Sequence, residues 1–176
     1  MIYTYHYDSP LGSITMAGSE TALTGLWFDG QKYFGSSLSA GEYEEQMISV
    51  FEQAIDWLDT YFSGENPGFL PALSIETTPF RKAVWEILLG IPYGKTMTYG
   101  EIAAIIAKQR GVSCMSAQAV GGAVGHNPVS IIVPCHRVLG ADGSLTGYAG
   151  GLEKKIALLK IEDIGVKEKW MRKQRK

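Results

Sequence analysis

Cysteine is scarce in this chain of 176 residues: Cys114 and Cys135 are the only two. With no Cys-x-x-Cys spacing and no histidine pair beside them, they form neither a disulfide framework nor half of a zinc site, so a reduced thiol is the default. Long apolar runs are missing too. Nothing approaches the roughly 20 residues that a membrane-spanning helix needs, and residues 1–8 alternate tyrosines with polar groups where a secretory leader would carry an apolar core. A cytoplasmic protein without a membrane partner is expected. Positive charge is almost absent from the first half, where residues 1–76 hold eleven acids against one base, Lys32. The remainder holds fifteen bases against seven acids, and nine of those bases fall between Lys154 and Lys176. The formal net charge of -2 therefore hides a division that turns the second half, and not the first, toward an anionic partner, nucleic acid being the commonest. On charge alone, a solvated face with a basic tail is the alternative.

What is present is an ordinary soluble composition, 45% hydrophobic, enough for one generous domain or two small ones. Three strand-like stretches open the chain, 1–7, 13–17 and 22–28, separated by Ser9-Pro10-Leu11-Gly12 and closed by Asp29-Gly30, the pattern of an antiparallel meander. Between residues 44 and 62 the apolar residues Met47, Val50, Phe51, Ala54, Ile55, Leu58, Tyr61 and Phe62 recur every three or four positions, which predicts an amphipathic helix covering that sheet. A linker follows to about Thr78. Nothing in this half forms a site, so it reads as scaffold.

In the second half, Thr78-Pro79 starts a helix over about 80–89 and Gly90 ends it. A short helix over 99–107, a loop, and a slim helix over 116–124 (Ser116, Ala117, Gln118, Ala119, Gly121 and Gly122 among its residues) follow the pattern of a helix-turn-helix whose second helix can approach a groove closely. Packing between small residues explains the same composition. After Asn127-Pro128 comes the apolar run Val129 to Val133, expected to be a buried strand, and then Pro134-Cys135-His136-Arg137. A thiol followed at once by an imidazole, at the end of a buried segment, offers a soft nucleophile beside a proton acceptor. Asp142-Gly143 is a hairpin-type turn, and Gly147-Tyr148-Ala149-Gly150-Gly151 is flexible enough to turn backbone N–H groups toward a planar ligand. The last helix, 152–161, carries Lys154, Lys155 and Lys160 at what read as polar positions. Arg137 could reach phosphate or form an inward salt bridge. Cys114 lacks any such setting and reads as a bystander.

Tyr99 in its Thr-Tyr-Gly setting, Ala-Val-Gly-Gly-Ala at 119–123, Asn127-Pro128, Pro134-Cys135-His136-Arg137-Val138, Gly147 to Gly151 and Leu158-Leu159 before Glu162 stand in the order and spacing of one family. Over almost its whole length the chain resembles the O6-alkylguanine-DNA alkyltransferases, also called methylated-DNA–protein-cysteine methyltransferases. The resemblance implies an α+β protein: an N-terminal antiparallel sheet with a covering helix (1–76), a mainly helical, winged-helix-like DNA-binding and alkyl-transfer domain (77–165), and a basic tail (166–176). It implies direct repair of double-stranded DNA, in which the Cys135 sulfur takes the alkyl group from O6 of guanine, and it leaves open O4-alkylthymine as a second substrate. No cofactor or metal is implied, and a monomer is the default.

By the same resemblance His136 serves as base, Glu162 orients the imidazole, and Tyr99 donates toward N3 of the base. The backbone near Cys135, Val138 and Ala149 meets the exocyclic amine and O6, with Tyr148 beside it, and Asn127 braces the loop bearing Cys135. Gln118 occupies the position where the family usually has an arginine that fills the vacated base stack. A glutamine has no charge and no guanidinium plane, so capture of the extruded base should be weaker. Two rival readings stand beside this one. Alkyltransferase-like lesion binders carry tryptophan where this chain has Cys135, and a cysteine hydrolase would use Cys135 and His136 with turnover and an oxyanion hole.

Overall fold

Ser9-Pro10-Leu11-Gly12 reverses the chain, with Gly12 at φ 121, so β1 (Ile2–Ser9) and β2 (Gly12–Gly18) pair antiparallel from Tyr3 opposite Gly18 to Ser9 opposite Gly12. This computed structural model describes residues 1–38 and 41–166. β3 (Leu23–Phe28) adds antiparallel to β2, completing the expected meander, and a short strand β4 (Tyr43–Glu45) joins the other edge parallel to β1, giving the order β3-β2-β1-β4. That last strand corrects the helix expected to start at residue 44. Residues 43–45 pair with Ile2, Tyr3 and Thr4, and the helix α1 begins only at Ser49 and runs to Phe62. α1 buries Val50, Phe51, Ala54, Trp57, Leu58 and Tyr61; such side chains contribute roughly 1.5–3 kcal/mol each when fully buried.

The contacts divide the chain into two units, Met1–Glu76 with Pro128–Ile132, and Thr77–Asn127 with the chain from Val133 on. In the first unit the segment after α1 is pinned rather than loose. Trp57 Nε1 donates to the Phe69 carbonyl at 2.9 Å, and the Leu23 and Ser74 amides bond the Ala72 and Leu23 carbonyls at 2.8 and 2.9 Å. The run 128–132 borders β3 in the same way, through Leu26 N to Pro128 O (2.8 Å) and Ser130 N to Leu26 O (2.9 Å). It is buried, as its composition demands, but it is not the expected strand: one bridge forms, at Val129, and Ile131 takes a positive φ of 69 that breaks extended pairing.

The second unit is mainly helical. α2 (Pro79–Leu89) is capped by the Thr78 hydroxyl with proline at its start, where the missing N–H costs nothing. α3 (Tyr99–Arg110) has a full capping box, with the Glu101 amide donating to Thr98 Oγ1 at 3.1 Å and the Thr98 amide donating to the Glu101 carboxylate at 2.7 Å. It runs three residues beyond its expected end, to Arg110, and Gly111 at φ 66 forms the left-handed C-terminal cap that glycine adopts without strain. α4 (Ala117–Gly125) is capped by Ser116 and tied to α2 by Trp85 Nε1, which donates to the Ala123 carbonyl at 2.9 Å. Two-residue strands β5 (Met97–Thr98) and β6 (Val138–Leu139) pair in parallel, and α5 (Leu152–Ile161) closes the described chain. The basic tail lies outside the described residues beyond 166. Among the described residues no helix is long and apolar enough to cross a membrane.

Candidate active site

Cys135 opens a single 3-10 turn, Cys135–Arg137, formed because the Cys135 amide bonds the Val133 carbonyl (2.8 Å) and the Arg137 amide bonds the Pro134 carbonyl (3.0 Å). The Asn127 side-chain amide donates to the same Val133 carbonyl at 2.8 Å, so the segment leading to the thiol is braced from the end of α4. Cys135 is 5% exposed. Burial pushes its thiol pKa up, while the Asn127 side chain, the Lys155 ammonium and the amides of Cys135 and His136 pull it back down. A thiol in this setting needs a proton acceptor to become a nucleophile.

The next residue carries an imidazole. His136 is fully buried, and its Nε2 bonds Glu162 Oε1 at 2.6 Å. Burial lowers the imidazole pKa against the opposing pull of the carboxylate, so the ring is neutral at pH 7 and able to take a proton. Glu162, at the end of α5, is buried and collects further donors: Arg137 Nε at 2.8 Å to Oε2 and 3.1 Å to Oε1, Arg137 Nη2 at 3.0 Å, and the Gly94 amide at 3.0 Å. Burial acts to raise its pKa, but the hydrogen bonds from His136 and Arg137 and the charge of Arg137 prevail and bring it down to about 2. Arg137 thus turns inward. Its Nη1 donates to the Ile91 carbonyl at 2.7 Å, its guanidinium lies 5.7 Å over the Tyr93 ring, and 7% of it is exposed. The salt bridge is the one of its two expected placements that the fold adopts.

Tyr99, at the start of α3, is half-buried, hydrogen-bonded to the Thr146 side chain, and electrostatically coupled to Cys135. Burial raises its pKa, so its phenol stays protonated and available as a donor. The α4 residues divide by face. Ala117, Gln118, Ala119 and Gly122 are exposed, as is the capping Ser116, whereas Val120, Ala123 and Val124 are buried. Gly121 faces Tyr99, where a Cβ would sit 3.8 Å from the ring. Val138 is buried in β6, and Tyr148 and Ala149 are half-buried in the glycine-rich loop before α5. Cys114 lies exposed in the connection after α3.

Two contributors escaped the sequence reading. Lys155, read as a polar-face residue, is fully buried; its Nζ donates to the Val138 carbonyl at 2.7 Å and the Thr146 carbonyl at 3.0 Å. Thr146 links that lysine to Tyr99. The signal was in the spacing: Lys155, Leu158, Leu159 and Glu162 recur at three, four and seven positions, one stripe of α5 holding both charged residues and the leucines.

A buried cysteine with a carboxylate-oriented imidazole, carried by a helical unit with a slim exposed helix, defines a protein of the thiol-nucleophile class. The description "6-O-methylguanine DNA methyltransferase, ribonuclease-like domain" matches residues 1–70, and "6-O-methylguanine DNA methyltransferase, DNA binding domain" matches residues 79–164. The chain is 45% identical over 162 residues to the methylated-DNA–protein-cysteine methyltransferase of Methanosarcina acetivorans, spanning 92% of this chain and 98% of that relative. Two crystal structures are similar: Mycobacterium tuberculosis O6-methylguanine methyltransferase (45% identity, TM-score 0.77, 92% of this chain and 93% of that one) and M. tuberculosis OGT in complex with DNA (44%, 0.77, 91% and 92%). The chain belongs to the 6-O-methylguanine DNA methyltransferase family.

Proposed function

We propose that this protein repairs O6-alkylguanine in double-stranded DNA by moving the alkyl group irreversibly to Cys135, one lesion per chain. The observation that carries the reading is the buried Cys135-His136-Glu162 arrangement, with the 2.6 Å bond from imidazole to carboxylate, on the unit that presents α4. His136 takes the thiol proton through a water, using Nδ1 because Nε2 is committed to Glu162. The thiolate sulfur then attacks the alkyl carbon, the S–C bond forms as the C–O6 bond breaks, and the electron pair leaves on guanine. Tyr99 donates toward N3, and backbone groups near Val138 and Ala149 meet the exocyclic amine and O6, all of which stabilise the charge that develops on the leaving base. A thioether has no built-in route back to a thiol, so the protein is consumed.

O6 lies inside the base stack, so the nucleotide must be extruded, at a cost of a few kcal/mol. The exposed small residues of α4, with Ser116, Ala117, Ala119 and Gly122 foremost, let the backbone approach the minor groove, and Gln118 stands where it can hydrogen-bond the orphaned partner base. Arg137 acts from inside, by holding Glu162, rather than on phosphate. The test is a titration of a duplex carrying one O6-methylguanine against limiting protein. Guanine is expected to be restored in an amount equal to the protein, after which restoration stops. Continued product formation after that equivalence would point to a turning-over hydrolase and end this reading.

A further inference from the structure

Lys155 is an expensive residue to place where it is. A fully buried ammonium needs compensation, yet its bonding partners are two neutral carbonyls, and among the described residues no carboxylate forms an ion pair with it. It also sits in the first turns of α5, the positive end of a helix, where a cation is disfavoured. Among the described residues, the acidic group whose charge acts on it is the Cys135 thiol. Its two carbonyls belong to segments that flank the thiol's surroundings: Val138 follows the Cys135 turn, and Thr146 bonds Tyr99 through its side chain.

We propose that Lys155 is a positioning residue for the alkyl transfer, whose ammonium ties the Val138 and Thr146 segments together and serves as the buried counter-ion of the Cys135 thiolate. This rests on the alkyl-transfer reading above. Lys155 stays protonated throughout. The thiol proton goes to His136, the sulfur's new charge is met by the ammonium, and that charge leaves with guanine once the S–C bond has formed. The other groups facing Cys135 cannot substitute for it: the Asn127 amide is neutral, Tyr99 becomes anionic when it ionises, and His136 is the proton acceptor itself. Burial brings the lysine down to about 8, still charged at neutral pH, and the negative charge of the Cys135 thiolate opposes that fall.

The experiment measures two rates in a Cys114→Ser background, for the parent and for Lys155→Met and Lys155→Gln: alkylation of Cys135 by iodoacetamide across pH without DNA, and methyl transfer from an O6-methylguanine duplex at pH 7. Both lysine variants are expected to move the alkylation inflexion up by roughly one to three pH units, the range an adjacent opposite charge supplies. Methyl transfer at neutral pH should fall on the order of tenfold or more. Slower transfer with an unmoved inflexion would leave Lys155 a mere strap and overturn the counter-ion role. If the parent itself takes no methyl, the alkyl-transfer reading fails, while the iodoacetamide profiles still report on the lysine. If neither variant folds, the pair is read from the other side by NMR of lysine-labelled Cys135→Ser: Lys155 should lose its proton at lower pH than in the parent, and an unchanged titration overturns the inference.

Discussion

Replacing Glu162 by glutamine removes one negative charge from a buried position where His136, Arg137 and the Gly94 amide all donate to it. The folded carboxylate titrates at about 2 against an ordinary 4.5. At about 1.4 kcal/mol per pH unit, that gap corresponds to roughly 3 kcal/mol of folding stability. A depressed folded-state pKa gives stability that is fully present above the unfolded value near 4.5 and is lost as pH falls toward 2. Glutamine keeps the shape but not the charge, and leaves the Arg137 guanidinium buried without its counter-ion, a change that costs about 3–5 kcal/mol when one partner of a buried pair is removed. Urea denaturation of the parent and Glu162→Gln, from about pH 7 down to about pH 3, should show the parent ahead by about 3 kcal/mol or more at neutral pH and the gap closing in acid. A gap that stays constant across that range would refute the reasoning, because the carboxylate's charge would then not be what the fold uses.

Three further outcomes are expected. Gln118→Arg adds a charge and a stacking plane at the exposed face of α4, so stopped-flow capture of a lesion duplex should quicken and its dependence on salt should steepen by about one ion. Gly122→Ala meets nothing within 4 Å in the protein, so the melting temperature should hold or rise with a helix gain of up to about 1 kcal/mol, while affinity for lesion duplex, measured by fluorescence anisotropy, falls because the methyl group blocks close approach. Gly25→Ala would place a Cβ 2.0 Å from the buried Trp27 ring, and chemical denaturation should show a loss of about 1–3 kcal/mol as that ring is displaced.

The parts of the fold legible from sequence are those written in local chemistry. Thr78-Pro79 and Thr98 with Glu101 mark their helix starts through caps that need no distant partner, and the Ser9 to Gly12 turn sets the first hairpin. The misreadings arise where distant pairing decides. Residues 44 and 45 fall within the span expected for a helix yet pair with β1, and Val129 to Val133 has the composition of a strand but is bent at Ile131. In the site, adjacency of Cys135 and His136 was visible, and a family resemblance carried Glu162 and Tyr99. Lys155 was not found because charge was taken as a sign of exposure. Its place on the stripe with Leu158 and Leu159 outweighed that, once two carbonyls and a thiol were there to meet it.

The most direct test of the central claim is to find where the methyl group goes. Intact mass spectrometry with peptide fragmentation, after mixing the protein with a duplex bearing one O6-methylguanine, should show a gain of one methyl on Cys135, in proportion to the lesion, preserved in Cys114→Ser and abolished in Cys135→Ala. Tight binding to the lesion without any gain in mass, or a methyl group on another residue, would contradict the account.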